Sequence, residues 1–94
     1  LNGGADTYIG GNLGDLVYGQ AGNDNLFGGG GDDLIRGGIG NDTIYGGTEY
    51  DTLYGGDGND RVWGGNGKDK VYLGNGNDVF YDNAQNDKNG GDTV

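Results

Sequence analysis

Nine aspartates, Asp6, Asp15, Asp24, Asp33, Asp42, Asp51, Asp60, Asp69 and Asp78, recur every nine residues. Carboxylates at a fixed interval can do two kinds of chemistry. They supply oxygen ligands to a hard cation, or they act in pairs as acid and base. The rest of the inventory favours the first. The chain has no histidine, cysteine or serine, which removes the commonest bases and nucleophiles and the ligands zinc prefers. Fifteen acidic residues outnumber five basic ones (Arg36, Arg61, Lys68, Lys70, Lys88), for a net charge of −10. That balance suits cations and argues against nucleic acid or an anionic membrane, both of which are bound through basic patches. No catalytic site is expected here.

The elements that hold these carboxylates follow from what surrounds them. Two residues after each aspartate stands an apolar one: Tyr8, Val17, Leu26, Ile35, Ile44, Leu53, Val62, Val71 and Phe80. Divided so that the aspartate takes the sixth place, residues 1–81 fall into nine units with the pattern GGxGxDxUx, where U is bulky and apolar. The first six places hold turn formers and the last three hold Val, Ile, Leu, Thr and aromatics, which reads as a turn followed by a short strand. With 26 glycines in 94 residues, a helical reading fails, since each glycine costs about 1 kcal/mol relative to alanine in a helix.

Hydrophobic residues make up only 31% of the chain, so composition alone predicts disorder. Stacking of repeats offers a way out, because each short strand then pairs with those before and after it. Nine residues are too few for a full circuit, so two units should form one coil, with residues eighteen apart stacked about 4.8 Å from each other. The eighth-place residues would share a narrow core, closed near its ends by Tyr8 and Phe80, while seventh- and ninth-place side chains point outward. One flank then carries Asp6, Asp24, Asp42, Asp60 and Asp78, the other Asp15, Asp33, Asp51 and Asp69. Carboxylates stacked so closely repel by about 1 kcal/mol or more per pair even at high dielectric. A cation is needed between each pair.

At this length one domain at most is expected. No apolar run approaches the ~20 residues of a membrane span. The first residues lack the features of a signal peptide and begin within the repeat without a methionine, so the chain reads as part of a longer protein. After Tyr81 the pattern fails. Residues 82–89 keep Asp87 in phase but place Asn89 where a core residue belongs, and read as a loop or cap; residues 90–94 resemble the start of a further unit.

The repeat resembles the RTX (repeats-in-toxin) family of calcium-binding nonapeptide repeats. The match is close in residues 28–36 (GGGGDDLIR), 37–45 (GGIGNDTIY), 55–63 (GGDGNDRVW) and 64–72 (GGNGKDKVY), and the resemblance spans about 1–81. It implies an all-β, right-handed parallel β-roll, a β-solenoid with calcium between stacked turns. Calcium takes six to eight oxygens and mixes carboxylate with carbonyl, whereas magnesium demands a tighter octahedron. In the family's arrangement each ion takes carbonyls from the second and fourth places of one turn, the first and third places of the turn eighteen residues on, and both aspartates.

Carried over by resemblance, the first flank would hold four ions. Asn2, Gly4 and Asp6 would meet Gly19, Ala21 and Asp24; Gln20, Gly22 and Asp24 would meet Gly37, Ile39 and Asp42. Gly38, Gly40 and Asp42 would meet Gly55, Asp57 and Asp60; Gly56, Gly58 and Asp60 would meet Leu73, Asn75 and Asp78. On the second flank, Gly11, Leu13 and Asp15 would meet Gly28, Gly30 and Asp33; Gly29, Gly31 and Asp33 would meet Gly46, Thr48 and Asp51. Gly47, Glu49 and Asp51 would meet Gly64, Asn66 and Asp69. That makes seven ions, with an eighth if Asp69 pairs with Asp87. Leu13-Gly14, Glu49-Tyr50, Leu1-Asn2 and Leu73 depart from the pattern and mark turns where weaker calcium is expected. Backbone strain is expected where a fourth-place glycine is replaced.

The remaining features are peripheral. Asp32 and Asp57 lie outside the sixth place and read as solvated turn residues. The ninth places line up Ile9, Phe27, Tyr45, Trp63 and Tyr81 on one outer face and Tyr18, Arg36, Tyr54 and Tyr72 on the other. Such aromatic rows either brace the sheet or seat a glycan or protein partner. The reading is a module that folds on meeting extracellular calcium, since the ion-free ladders repel and ion binding is itself folding free energy. Family resemblance adds export by type I secretion and an effector domain attached elsewhere in a secreted or bacterial cell-surface protein. An adhesive surface module that uses the aromatic rows is the alternative.

Overall fold

The computed structural model describes residues 4–81. Nine strands follow one per repeat: β1 (Thr7–Ile9), β2 (Leu16–Tyr18), β3 (Asn25–Phe27), β4 (Leu34–Ile39), β5 (Thr43–Gly47), β6 (Thr52–Asp57), β7 (Arg61–Gly65), β8 (Lys70–Tyr72) and β9 (Val79–Tyr81). Odd-numbered strands form one sheet in the order β1-β3-β5-β7-β9, and even-numbered strands form the other, β2-β4-β6-β8. All pairings are parallel, and every one has a register of eighteen residues, as in Ile44 opposite Val62 and Ile35 opposite Leu53. Among the described residues there is no helix, and the chain winds as a β-solenoid of about four coils. The coil of two nonapeptides is therefore as expected.

The core is a single file of eighth-place residues. Val17, Leu26, Ile35, Ile44, Leu53, Val62 and Val71 are each at most 3% exposed, with Tyr8 and Phe80 packed half-buried against the file. Burial of each such aliphatic side chain contributes about 1.5–3 kcal/mol. One inward residue per strand is a thin core, so the hydrogen-bonded ladder and the turns carry more of the fold than in an ordinary sandwich.

The central strands run longer than three residues. β4 to β7 continue into the leading glycines of the next unit, so that Gly38 pairs with Gly56 and Gly47 with Gly65. The cause is the stacking of nearly identical turns. Hydrogen bonds pass from turn to turn, Ile39 N–H to the Gln20 carbonyl at 2.9 Å and Asn66 N–H to the Gly47 carbonyl at 2.9 Å, and carry the ladder around the corner. The expected loop or cap at 82–89, the further unit at 90–94, and Leu1, Asn2 and Asp87 lie outside the described residues.

Candidate metal centre

Each aspartate occupies the last place before a strand, where the chain leaves the glycine turn and enters the ladder. Strand alternation points it inward together with the eighth-place residue. Asp24, Asp33, Asp42, Asp51, Asp60 and Asp69 are each 1–2% exposed, an unusual state for carboxylates. Within each column the two carboxylate oxygens have separate tasks. Oδ1 accepts the backbone N–H of the aspartate eighteen residues earlier: Asp24 N–H donates to Asp42 Oδ1 at 2.9 Å, Asp33 N–H to Asp51 Oδ1 at 2.9 Å, and Asp42 N–H to Asp60 Oδ1 at 2.8 Å. Among the described residues, Oδ2 of each of the six buried aspartates has no hydrogen-bond partner. A buried, charged oxygen left unpartnered is strongly unfavourable, and six arranged in two columns call for a cation.

What lies beside each Oδ2 fits that demand. A side chain grown from Gly28 would have its Cβ 2.5 Å from Asp33 Oδ2 and 2.6 Å from the Gly46 carbonyl oxygen. At Gly46 the same point lies 2.7 Å from Asp51 Oδ2 and 2.7 Å from the Gly64 carbonyl oxygen. Gly19, Gly37 and Gly55 repeat the arrangement with Asp24, Asp42 and Asp60. Carboxylate and first-place carbonyl of the following turn thus converge on a cradle that only glycine leaves open, at a separation close to calcium–oxygen bonding distance. Among the described residues no three acidic side chains gather at one point. Beyond the column's own carboxylates, the oxygens open to a cation at each cradle are backbone carbonyls and water.

Electrostatics point the same way. Burial, reinforced by the charges of Asp69 and Asp33 in its column, pushes the Asp51 carboxyl up to about 8 against the lowering effect of a backbone hydrogen bond. Burial raises Asp60 to about 7 and Asp42 to about 6, with column neighbours adding to the rise, and Asp33 is raised for the same reasons. Without a cation Asp33, Asp42, Asp51 and Asp60 therefore hold their protons to higher pH than an ordinary carboxylate.

The irregular turns resolve differently from one another. Glu49, in a fourth place, is held at a φ of 74°, and Gln20, in a second place, at 72°. Each pays about 1–2 kcal/mol for a left-handed conformation that glycine adopts freely. The strain expected at Glu49 is present. That expected at Leu13 is not: neither Leu13 nor Gly11 takes positive φ, and Leu13 is 81% exposed. The 10–18 turn has relaxed into another shape, and there Gly11 N–H donates to Asp15 Oδ2 at 3.2 Å, so this oxygen is already engaged. Asp6, Asp15 and Asp78 are also less buried than the central six.

Second- and third-place carbonyls are shared with the ladder. Those of Gly11, Gln20, Gly29 and Gly47 accept N–H groups from the following turn, and those of Ile39 and Asp57 from the preceding one. A second lone pair remains on each for an ion. Asp32 and Asp57 are exposed, as expected, yet bonded: Asp32 accepts the Tyr50 N–H at 3.0 Å, and Asp57 an Asn75 side-chain N–H at 3.1 Å. Sequence reasoning missed an asparagine ladder at the fifth places, where Asn23, Asn41 and Asn59 accept the N–H of Asn41, Asn59 and Asn77, each at 2.8 Å. Its signal was asparagine in every second unit.

The outer rows are ordered stacks. Phe27, Tyr45, Trp63 and Tyr81 lie face to face with centroids 4.7, 4.4 and 4.3 Å apart and planes within 10° of parallel. On the other sheet Tyr54 stacks on Tyr72 at 4.8 Å. The Arg36 guanidinium sits between Tyr18 and Tyr54, 5.7 and 4.8 Å from their ring centres.

Comparison with curated proteins and with solved structures returns no match. Among protein families, the model described as RTX calcium-binding nonapeptide repeat (4 copies) matches residues 9–44, 18–53, 36–71, 45–80 and 63–88. Those spans cover most of the chain and keep the nine-residue phase of the aspartate columns. The chain belongs to the RTX calcium-binding nonapeptide repeat family.

Proposed function

We propose that this calcium-binding module is a folding switch, disordered without the ion and wound into the roll when calcium fills the cradles. The observation that carries the reading is the row of buried Oδ2 atoms on Asp24, Asp33, Asp42, Asp51 and Asp60, which have no hydrogen-bond partner among the described residues. Two charges about 4.8 Å apart repel by roughly 1 kcal/mol in water and roughly 3.5 kcal/mol at an effective dielectric of 20. Summed along two columns, that repulsion opposes a thin core. Calcium reverses its sign, so binding and folding become one event.

On this reading seven ions bind, four beside the Asp6 column and three beside the Asp15 column, through the carboxylates and turn carbonyls named above. RTX repeats are typical of secreted proteins. Folding near 10⁻⁴–10⁻³ M calcium, the range of many extracellular modules, would leave the chain unfolded for type I export and fold it outside, where it supports an attached effector. Repeats of this family are structural and not catalytic, and among the described residues no helix is long and apolar enough to cross a membrane.

The adhesive alternative meets a geometric obstacle on the Phe27 column. Tyr45 and Trp63 have both faces covered by neighbouring rings, so only their edges are open and neither offers a face for a sugar to stack on. A bracing role fits that geometry better. The test is far-UV circular dichroism during calcium titration, with a steep rise in strand signal expected. Complete strand signal in excess chelator would sink the switch. Tyr45→Thr and Trp63→Thr should raise the calcium midpoint if the column braces the roll, and leave it unmoved if the rings serve only a ligand.

A further inference from the structure

A second site lies on the outer face of the even-numbered sheet, next to turns that also border the Asp24 and Asp42 cradles. Tyr18, Gln20, Arg36 and Gly38 line a shallow pocket of about 300 Å³, at the small end of the range for ligand sites. Three features set it apart from ordinary surface. Arg36 is held between Tyr18 and Tyr54, and among the described residues no carboxylate pairs with it, although acids outnumber bases fifteen to five. A guanidinium fixed between rings keeps its N–H donors for a planar, bidentate acceptor. Gln20 stands at φ 72° where every other second place from 11 to 74 holds glycine. Its side-chain amide makes no hydrogen bond among the described residues. Its φ is the one the turn requires, and its exposed amide stands at the pocket's edge, within reach of a bound molecule. Opposite it, Gly38 has no side chain to block the floor.

We propose that this pocket binds the carboxylate of an acidic sugar, a uronic acid unit of an anionic polysaccharide. Arg36 takes the carboxylate edge-on, the exposed part of Tyr18 supports the pyranose ring, and the Gln20 amide bonds a ring hydroxyl. The ligand carries the charge that the acidic remainder of the protein repels, so recognition depends on Arg36. The site needs the wound roll and in that respect rests on calcium-dependent folding.

The experiment uses the whole chain in saturating calcium, with the strand signal recorded first so that loss of the fold is told apart from loss of the site. A hyaluronan tetrasaccharide is then titrated calorimetrically at calcium activity fixed by electrode, beside neutral chitotetraose and a short peptide with a free C-terminal carboxylate. Saturable binding of the acidic sugar, with the neutral one weaker by about tenfold or more, is expected. Arg36→Lys keeps the charge but should weaken binding by about tenfold, because a point charge replaces the fork. Gln20→Gly should fold at lower calcium yet bind the sugar several-fold less well, a pair of opposite changes that a purely structural residue would not give. Absence of saturable binding by the folded chain overturns the proposal. So does an unaffected Arg36→Lys variant, or equal affinity for the neutral sugar or the peptide.

Discussion

Asp51→Asn should move the ion-free and the calcium-loaded states in opposite directions. Asparagine retains an oxygen for the Asp33 N–H, now bonded at 2.9 Å, and its own N–H still reaches Asp69 Oδ1 at 2.9 Å. The ladder survives. What disappears is the charge on Oδ2, in a group whose burial and column neighbours raise its pKa from 3.8 to about 8. Ionised in the unfolded chain at pH 7, this carboxyl must take up a proton or endure burial on folding. Roughly three pH units at 1.36 kcal/mol each give an upper cost on the order of 4 kcal/mol. Removing it should stabilise the ion-free roll by up to that amount, so the chelated variant shows more strand signal than the parent. With calcium the same change deletes a carboxylate beside two cradles, and the calcium midpoint should rise several-fold with shallower cooperativity. Circular dichroism in chelator and during calcium titration reads both effects. Less strand in chelator, or an unmoved calcium midpoint, would refute the assignment of Oδ2 to the ion.

Three further outcomes follow from the same geometry. A carboxyl whose folded pKa exceeds its unfolded value favours the fold when protonated, a contribution complete below about pH 4 and lost as pH rises through about 6 to 8. The chelated chain should therefore gain strand signal on acidification from pH 8 to 4, while the calcium midpoint climbs; a chelated chain indifferent to pH contradicts this. Glu49→Gly should lower the calcium midpoint by relieving about 1–2 kcal/mol at φ 74°, whereas Leu13→Gly should not help, because Leu13 carries no such strain; equal responses in the two titrations would count against the backbone argument. Ile44→Ala, at a fully buried position between Leu26 and Val62, should cost about 3 kcal/mol, seen as a lower melting temperature in calcium.

Much of this could be read in the residues, for one physical reason. A strict period forces stacking, stacking fixes the register at eighteen, and register places each Asp and each core residue without further information. Three things escaped. Strands β4 to β7 reach into Gly37-Gly38 and their counterparts because identical turns bond to one another, an effect that strand propensity does not register. Whether a misplaced residue strains the turn or remodels it depends on neighbours in adjacent coils, so Glu49 and Leu13 parted ways. Ring stacking needs torsions as well as spacing; the row from Phe27 to Tyr81 was visible, but not that its faces are closed.

The register of eighteen also separates the kinds of gain and loss that the repeat tolerates. Core file and carboxylate columns obey a rule of nine, identical on both flanks. The outer rows obey a rule of eighteen, for Trp63 and Arg36 occupy the same place in units of opposite parity. Excision of one nonapeptide, such as 46–54, leaves every later aspartate and core residue in an acceptable position but transfers it to the other flank. Trp63 then lands on Arg36, and the asparagine row is severed at Asn41. Excision of two nonapeptides preserves everything except length. Copy-number change in single units thus spares the interior while rewriting the exterior, and change in pairs conserves both.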